Sequence, residues 1–389
     1  MGWSRHHKVG LIHSEPSACY RGYTLVATNG GYHANLIDME GRICHRWDCK
    51  EGVHYAYLLP NGNLLLGANA SKEVDVGTIG GSNGVLQELD WEGNVVWEWR
   101  NPLIHHDFER LSNGNTLAIT FERMPSDLSA QVRGGFTTPR DEDEMISDLV
   151  QEITPDGSLV WEWRAWQHLS IEEDIICPLE GRREWTHQNA LTLLPNDDIL
   201  VSFRQISTIG IVDRSTGDFK WKWGPGEISH QHNPTYLDNG RILLFDNGAH
   251  RRGVNHSRVL EVDPETNTVA WEYHGDPIIS FYSYNISGAE RLPNGNTLIC
   301  EGAPGRILEV TSKGQIVWEY INPSFVPRVA GVVRNTEAGV ATQVTTGGET
   351  ELVNMIFRAH RYGAEHPALQ GKDLDPARFG NLNRLYGAA

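Results

Sequence analysis

The chain has 389 residues and a formal charge of −17, a balance that excludes a nucleic-acid partner, because gripping phosphates needs a basic surface. It leaves open an anionic small molecule held in a local basic channel. With 39% hydrophobic and 21% charged residues the composition excludes disorder, and 40 glycines with 13 tryptophans ask for many tight turns and large packing anchors, as in blade or barrel architectures.

The start, Met1-Gly-Trp-Ser-Arg-His-His-Lys8, is polar and leads into no apolar signal core. No stretch approaches the roughly 20 apolar residues that span a bilayer, so a cytoplasmic protein without membrane contact is expected. The five cysteines, Cys19, Cys44, Cys49, Cys177 and Cys300, are odd in number and lack metal-type spacing. They read as free thiols of a reducing compartment, with Cys44 and Cys49 able to pair in an oxidising one.

From residue 41 onward two phrases alternate. The first outer phrase, Gly41-Arg-Ile-Cys-His-Arg-Trp47, is degenerate. A turn phrase follows, Leu59-Pro-Asn-Gly-Asn-Leu-Leu-Leu66, then an outer phrase, Gly93-Asn-Val-Val-Trp-Glu-Trp99. The turn phrase returns at Leu111-Ser-Asn-Gly-Asn115, Leu194-Pro-Asn-Asp-Asp198, Leu237-Asp-Asn-Gly-Arg241 and Leu292-Pro-Asn-Gly-Asn296. The outer phrase returns with its second aromatic at Trp163, Trp223, Tyr273 and Tyr320. Asn-Gly between strand-like runs predicts a hairpin with a type I′ turn. The second aromatics recur every 47–64 residues, near the 40–50 that a four-stranded blade needs. Six copies predict an all-β, six-bladed β-propeller of four-stranded blades, closed by the N- and C-terminal segments. The alternating aromatics place both rings on one face of the outer strand, to be buried by the next blade.

The first copy lacks a clear inner strand. Val329-Ala-Gly-Val-Val333 and Val353-Asn-Met-Ile-Phe357 are candidate closing strands, since a strand returning to the first blade removes an open edge. One propeller over 1–357 and a tail over 358–389 lying across one face are expected. Two insertions interrupt the repeat. Arg123 to Met145 holds Gly134-Gly135 and the acidic run Asp141-Glu-Asp-Glu144; Arg164 to Trp185 holds Ile171-Glu-Glu-Asp174 and Cys177-Pro178. Loops this long are often lids or partner contacts.

The 17 histidines keep register with the repeat. His54, His106 and His232 each lie seven residues before a turn Asn; His187 and His230 lie nine before theirs, and Asn285 and Ser287 occupy these positions in the last copy. A shift of two keeps the same strand face, so His54, His106, His187 and His232 should converge at one mouth of the channel. Convergent titratable groups in a concavity mark functional sites. Phe245-Asp-Asn-Gly-Ala-His-Arg-Arg252 ends one strand, and Arg251 or Arg252 supplies a planar fork for an oxyanion.

The phrases His105-His-Asp-Phe-Glu-Arg-Leu-Ser-Asn-Gly-Asn115, Trp185-Thr-His-Gln-Asn189, Gln231-His-Asn-Pro234, Phe245-Asp-Asn-Gly248 and Arg291-Leu-Pro-Asn-Gly-Asn-Thr-Leu298 resemble those of the arylsulfate sulfotransferases, six-bladed propellers that move a sulfuryl group between phenols. The resemblance covers roughly residues 50–323. It implies that His187, His232 and Arg251 grip the sulfuryl group and that a further histidine is the nucleophile. The blade where that histidine is expected reads Tyr282-Ser-Tyr-Asn-Ile-Ser-Gly288, so His54, His106 and His250 are the substitutes. Arg252, His250, Asn189, His230 and Tyr284 are the expected substrate-binding residues, for a small aromatic substrate and with no cofactor required. Two alternatives stand beside this reading. One is a lyase, hydrolase or oxygenase with a divalent transition metal on His54, His106, His187 and His232. The other is a non-catalytic binding propeller.

Overall fold

A computed structural model describes residues 8–69, 79–137, 145–327 and 352–388. Six antiparallel sheets form a ring. Blades 2 to 6 each run from inner to outer strand in chain order. Blade 2 is Tyr55–Leu58, Leu64–Asn69, Gly84–Leu89 and Val95–Arg100; blade 3 is Ile104–Arg110, Thr116–Arg123, Ile146–Ile153 and Leu159–Arg164. Blade 4 is Gln188–Leu193, Ile199–Phe203, Thr208–Val212 and Phe219–Trp223; blade 5 is His232–Tyr236, Ile242–Asp246, Arg258–Asp263 and Thr268–His274. Blade 6 is Gly288–Arg291, Thr297–Glu301, Arg306–Val310 and Ile316–Ile321. The inner strands of blades 3, 4, 5 and 6 touch in sequence around the axis.

The sequence of each strand follows its depth. Leu64, Leu65 and Leu66 are consecutive and fully buried, as befits a strand covered on both faces by neighbouring blades. The outer strand Val95–Arg100 is partly exposed along its length and keeps the alternating aromatics.

Those aromatics latch the ring. Trp47 Nε1 donates to Asp90 O (3.0 Å), Trp97 to Pro155 O (2.7 Å), Trp163 to Gly217 O (2.8 Å), Trp221 to Asn267 Oδ1 (2.8 Å), Trp271 to Ser312 O (2.8 Å) and Trp318 to Met39 O (2.9 Å). Each bond runs from one blade's outer strand to the outer turn of the next, and the sixth returns to blade 1. A second latch lies inside it. Glu88, Glu261 and Glu309 accept from Arg110, Arg291 and Arg361 of the following blade, and these guanidiniums lie 4.1, 4.9 and 4.6 Å from the rings of Trp97, Trp271 and Trp318. The planar cation satisfies a buried carboxylate on one side and an aromatic face on the other.

The Asn-Gly hairpins differ from the type I′ expectation. Gly62 N donates to Leu59 O (2.9 Å) and Leu59 N to Asn63 O (2.8 Å). Positive φ falls on Gly62 but not on Asn61. This is a type I turn followed by a left-handed glycine. Pro60 at the first central position fixes a negative φ there, which a type I′ turn cannot use.

Blade 1 is closed from both ends of the chain. Its inner strand is His360–Gly363, paired antiparallel with Gly22–Ala27; Gly31–Ile37 and Ile43–Val53 follow outward. Gly10–Ser14 adds a fifth, outermost strand to blade 6. The closing strand is therefore neither of the two apolar candidates. Val329–Val333 lies outside the described residues; of Val353–Phe357, Val353 pairs with Val326 and Ile356 makes a single antiparallel bridge to Thr28 of blade 1, ahead of the closing strand. The segment 358–389, expected as a tail on one face, begins with that closing strand. Its Arg361 is buried, with Nε donating to Thr24 Oγ1 (2.6 Å) and Nη1 to Glu309 Oε2 (3.1 Å). The remainder packs beside blades 1 and 2. Ala368 and Leu369 join Trp47, Leu58, Leu64 and Trp91, Ala368 O lies against the Gly62 turn, and Asn383 brackets the backbone of Ile43.

Candidate active site

The starts of the inner strands, the loops between second and third strands, and both insertions meet at one face, opposite the Asn-Gly turns. There the insertions pair with each other: Gly134–Phe136 runs parallel to Ile176–Gly181. Gly134 has a φ of +81°, and a Cβ on it would lie 2.1 Å from Ile176 O, so only glycine fits this contact. The acidic run 141–144 lies outside the described residues.

Non-glycine residues with positive φ gather at the same face: His106, His187, His230, Asn233, His250, Ile286 and Ser287. A left-handed residue of this kind costs about 1–3 kcal/mol and persists only where its surroundings impose it. Among the axial histidines it falls on His106 and His187, at the heads of the inner strands of blades 3 and 4, and not on His54 or His232.

Four histidines from four blades come together as the spacing predicts. His106 and His187 have ring centroids 4.5 Å apart and His54 lies 6.3 Å from His106. Phe357, from the segment entering blade 1, packs 4.5 Å from His54 and 6.2 Å from His106. Burial, then the proximity of His187, His105, His54 and His232, holds His106 well below the ordinary imidazole range. Burial and then the Arg358 charge lower His54 to about 3. Burial also lowers His232, against the hydrogen bond it donates to Asn247. His54, His106 and His232 are neutral near pH 7.

The partners of the Nδ1 atoms fix which nitrogen is free. Asn247 spends its amide hydrogens on Ser283 O (2.8 Å) and Ile286 O (2.9 Å), so its Oδ1 accepts from His232 Nδ1 (2.7 Å). His187 Nδ1 donates to Glu184 Oε1 (2.9 Å). His106 Nδ1 lies 2.8 Å from His105 Nδ1, and His105 Nε2 makes an ion-pair approach of 3.2 Å to Asp148 Oδ1, outside hydrogen-bond alignment. With the His105 proton on the carboxylate side, His106 Nδ1 donates to His105. In His106 and His232, Nε2 keeps its lone pair. His54 is the opposite case: Asn29 Nδ2 donates to its Nδ1 (3.2 Å), which places the proton on a buried Nε2 without a partner among the described residues. Backbone pressure holds the set in place, for a Cβ on Gly81 would sit 2.1 Å from the His106 ring.

The other expected residues are placed differently. Arg251 is bound to Asp246, which also holds Arg258 Nη2 (2.7 Å); it belongs to the blade 5 loop at the mouth. Arg252 is exposed. Asn189 is fully buried and ties blade 4 to blade 5 through Gln231 O (2.8 Å). Tyr284 is partly exposed, and Ser287, in the blade where the nucleophilic histidine was expected, bonds Ser283 Oγ (2.8 Å) and Gly302 N (2.9 Å). His230 and His250 form a neighbouring cluster, with centroids 4.6 Å apart.

The axial arginine is Arg358. It lies between Asp107 Oδ2 (2.9 Å) and Asn189 O (2.9 Å) and 5.0 Å from the Tyr55 ring, and its charge reaches His54 and His232. No repeat phrase follows it, so nothing in the sequence marks its position. His105 and Glu184 adjoin motif residues already singled out, and their buried pairing with histidine is the signal that adjacency alone does not carry.

In solved structures the fold is shared with a protein of unknown function from Bacteroides caccae, at 13% identity over 77% of this chain and 93% of that one, TM-score 0.50. Virginiamycin B lyase from Staphylococcus aureus, in selenomethionine form, matches at 13% identity over 81% of this chain and 88% of that one, TM-score 0.41. The first likeness concerns the fold alone. No curated protein matches the chain in sequence. No helix among the described residues is long and apolar enough to cross a membrane. The model of one family, described as arylsulfotransferase (ASST), matches residues 56–323, the stretch that carries the turn phrases and the four axial histidines but for His54, and the chain belongs to that family.

Proposed function

We propose that the chain transfers a sulfuryl group from an aryl sulfate ester to a phenolic acceptor at the histidine mouth, with His106 as nucleophile. The observation that carries this reading is the relay from Asp148 through His105 to His106. It leaves Nε2 of a neutral, buried imidazole as the attacking atom. Nε2 forms an N–S bond as the aryl S–O bond breaks, and the phenolate leaves with the electron pair. The charge gained by the His106 ring is stabilised through His105 by Asp148, as a carboxylate stabilises imidazolium in other relays. His187 and His232 flank the sulfuryl oxygens, and Arg358 supplies a fixed positive field. In the second half the acceptor oxygen attacks sulfur, the N–S bond breaks, and the phenolic proton passes to His187 Nε2.

The test is nitrophenol release from 4-nitrophenyl sulfate with a panel of phenols. Acceptor-dependent release with ping-pong kinetics is expected, together with a His106 peptide heavier by one SO₃ when the acceptor is withheld. Release that no phenol accelerates would sink the reading.

A further inference from the structure

Beside the axial histidines lies a second cluster, which the sulfuryl chemistry does not use. The strand Ile176–Gly181 of the second insertion brings Cys177 and Glu180 to two points of blade 5: His230, before its inner strand, and His250, in the loop after its second strand. Cys177, His230 and His250 each offer one ligand atom, all within 4.8 Å of one another. Cys177 Sγ lies 3.5 Å from His250 Nδ1. A tetrahedral zinc ion, with Zn–S of about 2.3 Å and Zn–N of about 2.0–2.1 Å, sets its sulfur and nitrogen ligands about 3.5 Å apart. Glu180 Oε1 lies 3.2 Å from His230 Nδ1 and 4.0 Å from His250 Nδ1.

A second observation points to a ligand. His230 is fully buried; its Nε2 has no hydrogen-bond partner among the described residues, and its Nδ1 has only the ion-pair approach of Glu180, outside hydrogen-bond alignment. Such orphaned groups are rare in folded proteins and ask for an occupant. Glu180 is already held by Arg204 Nη1 (2.7 Å), which orients its carboxylate as a fixed neighbour rather than a mobile one.

We propose that Cys177, His230 and His250 bind a zinc-type divalent ion, with Glu180 completing or orienting the site. The ion ties the insertion to blade 5 and so fixes one wall of the channel mouth. It is separate from the axial set His54, His106, His187 and His232, and it stands or falls independently of sulfuryl transfer.

Cobalt(II) added to the metal-stripped full chain is the probe. One equivalent should bind with thiolate-to-cobalt charge-transfer absorption in the near ultraviolet, and zinc should displace it. The band should vanish in Cys177→Ala and weaken at least tenfold in apparent affinity in His250→Ala, while His106→Ala keeps it. Should Cys177→Ala fail to fold, Cys177→Ser, with its fold checked by circular dichroism, takes its place. Failure of the wild-type chain to bind cobalt or zinc stoichiometrically overturns the proposal. A band that survives loss of Cys177, or is lost with His106 alone, overturns it as well, by placing the ion elsewhere.

Discussion

The two faces of the disc are built from the same six blades by different rules. On the turn face, five hairpins share one phrase, and outside it six indole N–H groups each close on the next blade. On the mouth face the backbone takes left-handed turns at histidine, serine and isoleucine, and buried polar groups are held by partners from distant parts of the chain. Repetition on the first face marks what every blade needs in order to join its neighbour. Departure from repetition on the second marks what only some blades supply. Local strain at the mouth is tolerated because the ring outside over-determines the position of each inner strand.

The contrast breaks most sharply at His106. His106→Asn keeps a polar side chain but removes the nucleophile and its link to His105. Its expected effect is a loss of turnover of about 10²–10⁴-fold, with thermal stability changed far less than turnover. Restored turnover with a better acceptor would place His106 outside the chemistry. On the turn side the expectation reverses. Trp318 is fully buried, donates to Met39 O and carries Arg361 against its ring. Trp318→Ala should cost about 3–5 kcal/mol in urea-induced unfolding, with KM and turnover of the folded fraction unchanged. A loss below ~1 kcal/mol would mean that the latch between blade 6 and blade 1 contributes little.

The same contrast explains what the sequence revealed. Blades 2 to 6 were legible because turn phrase and outer phrase lie within one hairpin-connected stretch and recur. The convergence of His54, His106, His187 and His232 was legible for the same reason, since register against the turn Asn fixes height on the inner strand. Blade 1 was not, because its inner strand, His360–Gly363, comes from the far end of the chain and carries a buried arginine where an apolar residue was sought. Arg358 was hidden with it, so the arginine assigned to the channel was Arg251, whose guanidinium Asp246 occupies. The role of Asn29 was hidden because it reaches His54 from blade 1 across to blade 2, and those of Asp148 and Asn247 because strand pairing within blades 3 and 5, not the repeat phrases, sets them against His105 and His232.

The smallest expected effect separates two histidines of similar burial but different place. His54 sits at the mouth and is lowered to about 3; His45 stacks 3.9 Å from Trp91 at the opposite rim, and burial lowers it to about 4. An unfolded histidine takes up its proton near pH 6.5, whereas the folded protein resists it until these lower values. Between about pH 6.5 and 3 the unfolded chain therefore binds more protons, and stability falls as pH falls, by up to roughly 1.4 kcal/mol per pH unit for each such group. Above pH 7 both groups are neutral in both states and contribute no slope. His54→Gln keeps an acceptor for Asn29 and removes one titration. Its unfolding free energy between pH 6 and 4 should decline less steeply than that of the wild type by about that amount, while the His45 contribution persists. Parallel curves for the two proteins would mean that His54 is solvated rather than sealed, and that water enters the mouth as far as Phe357.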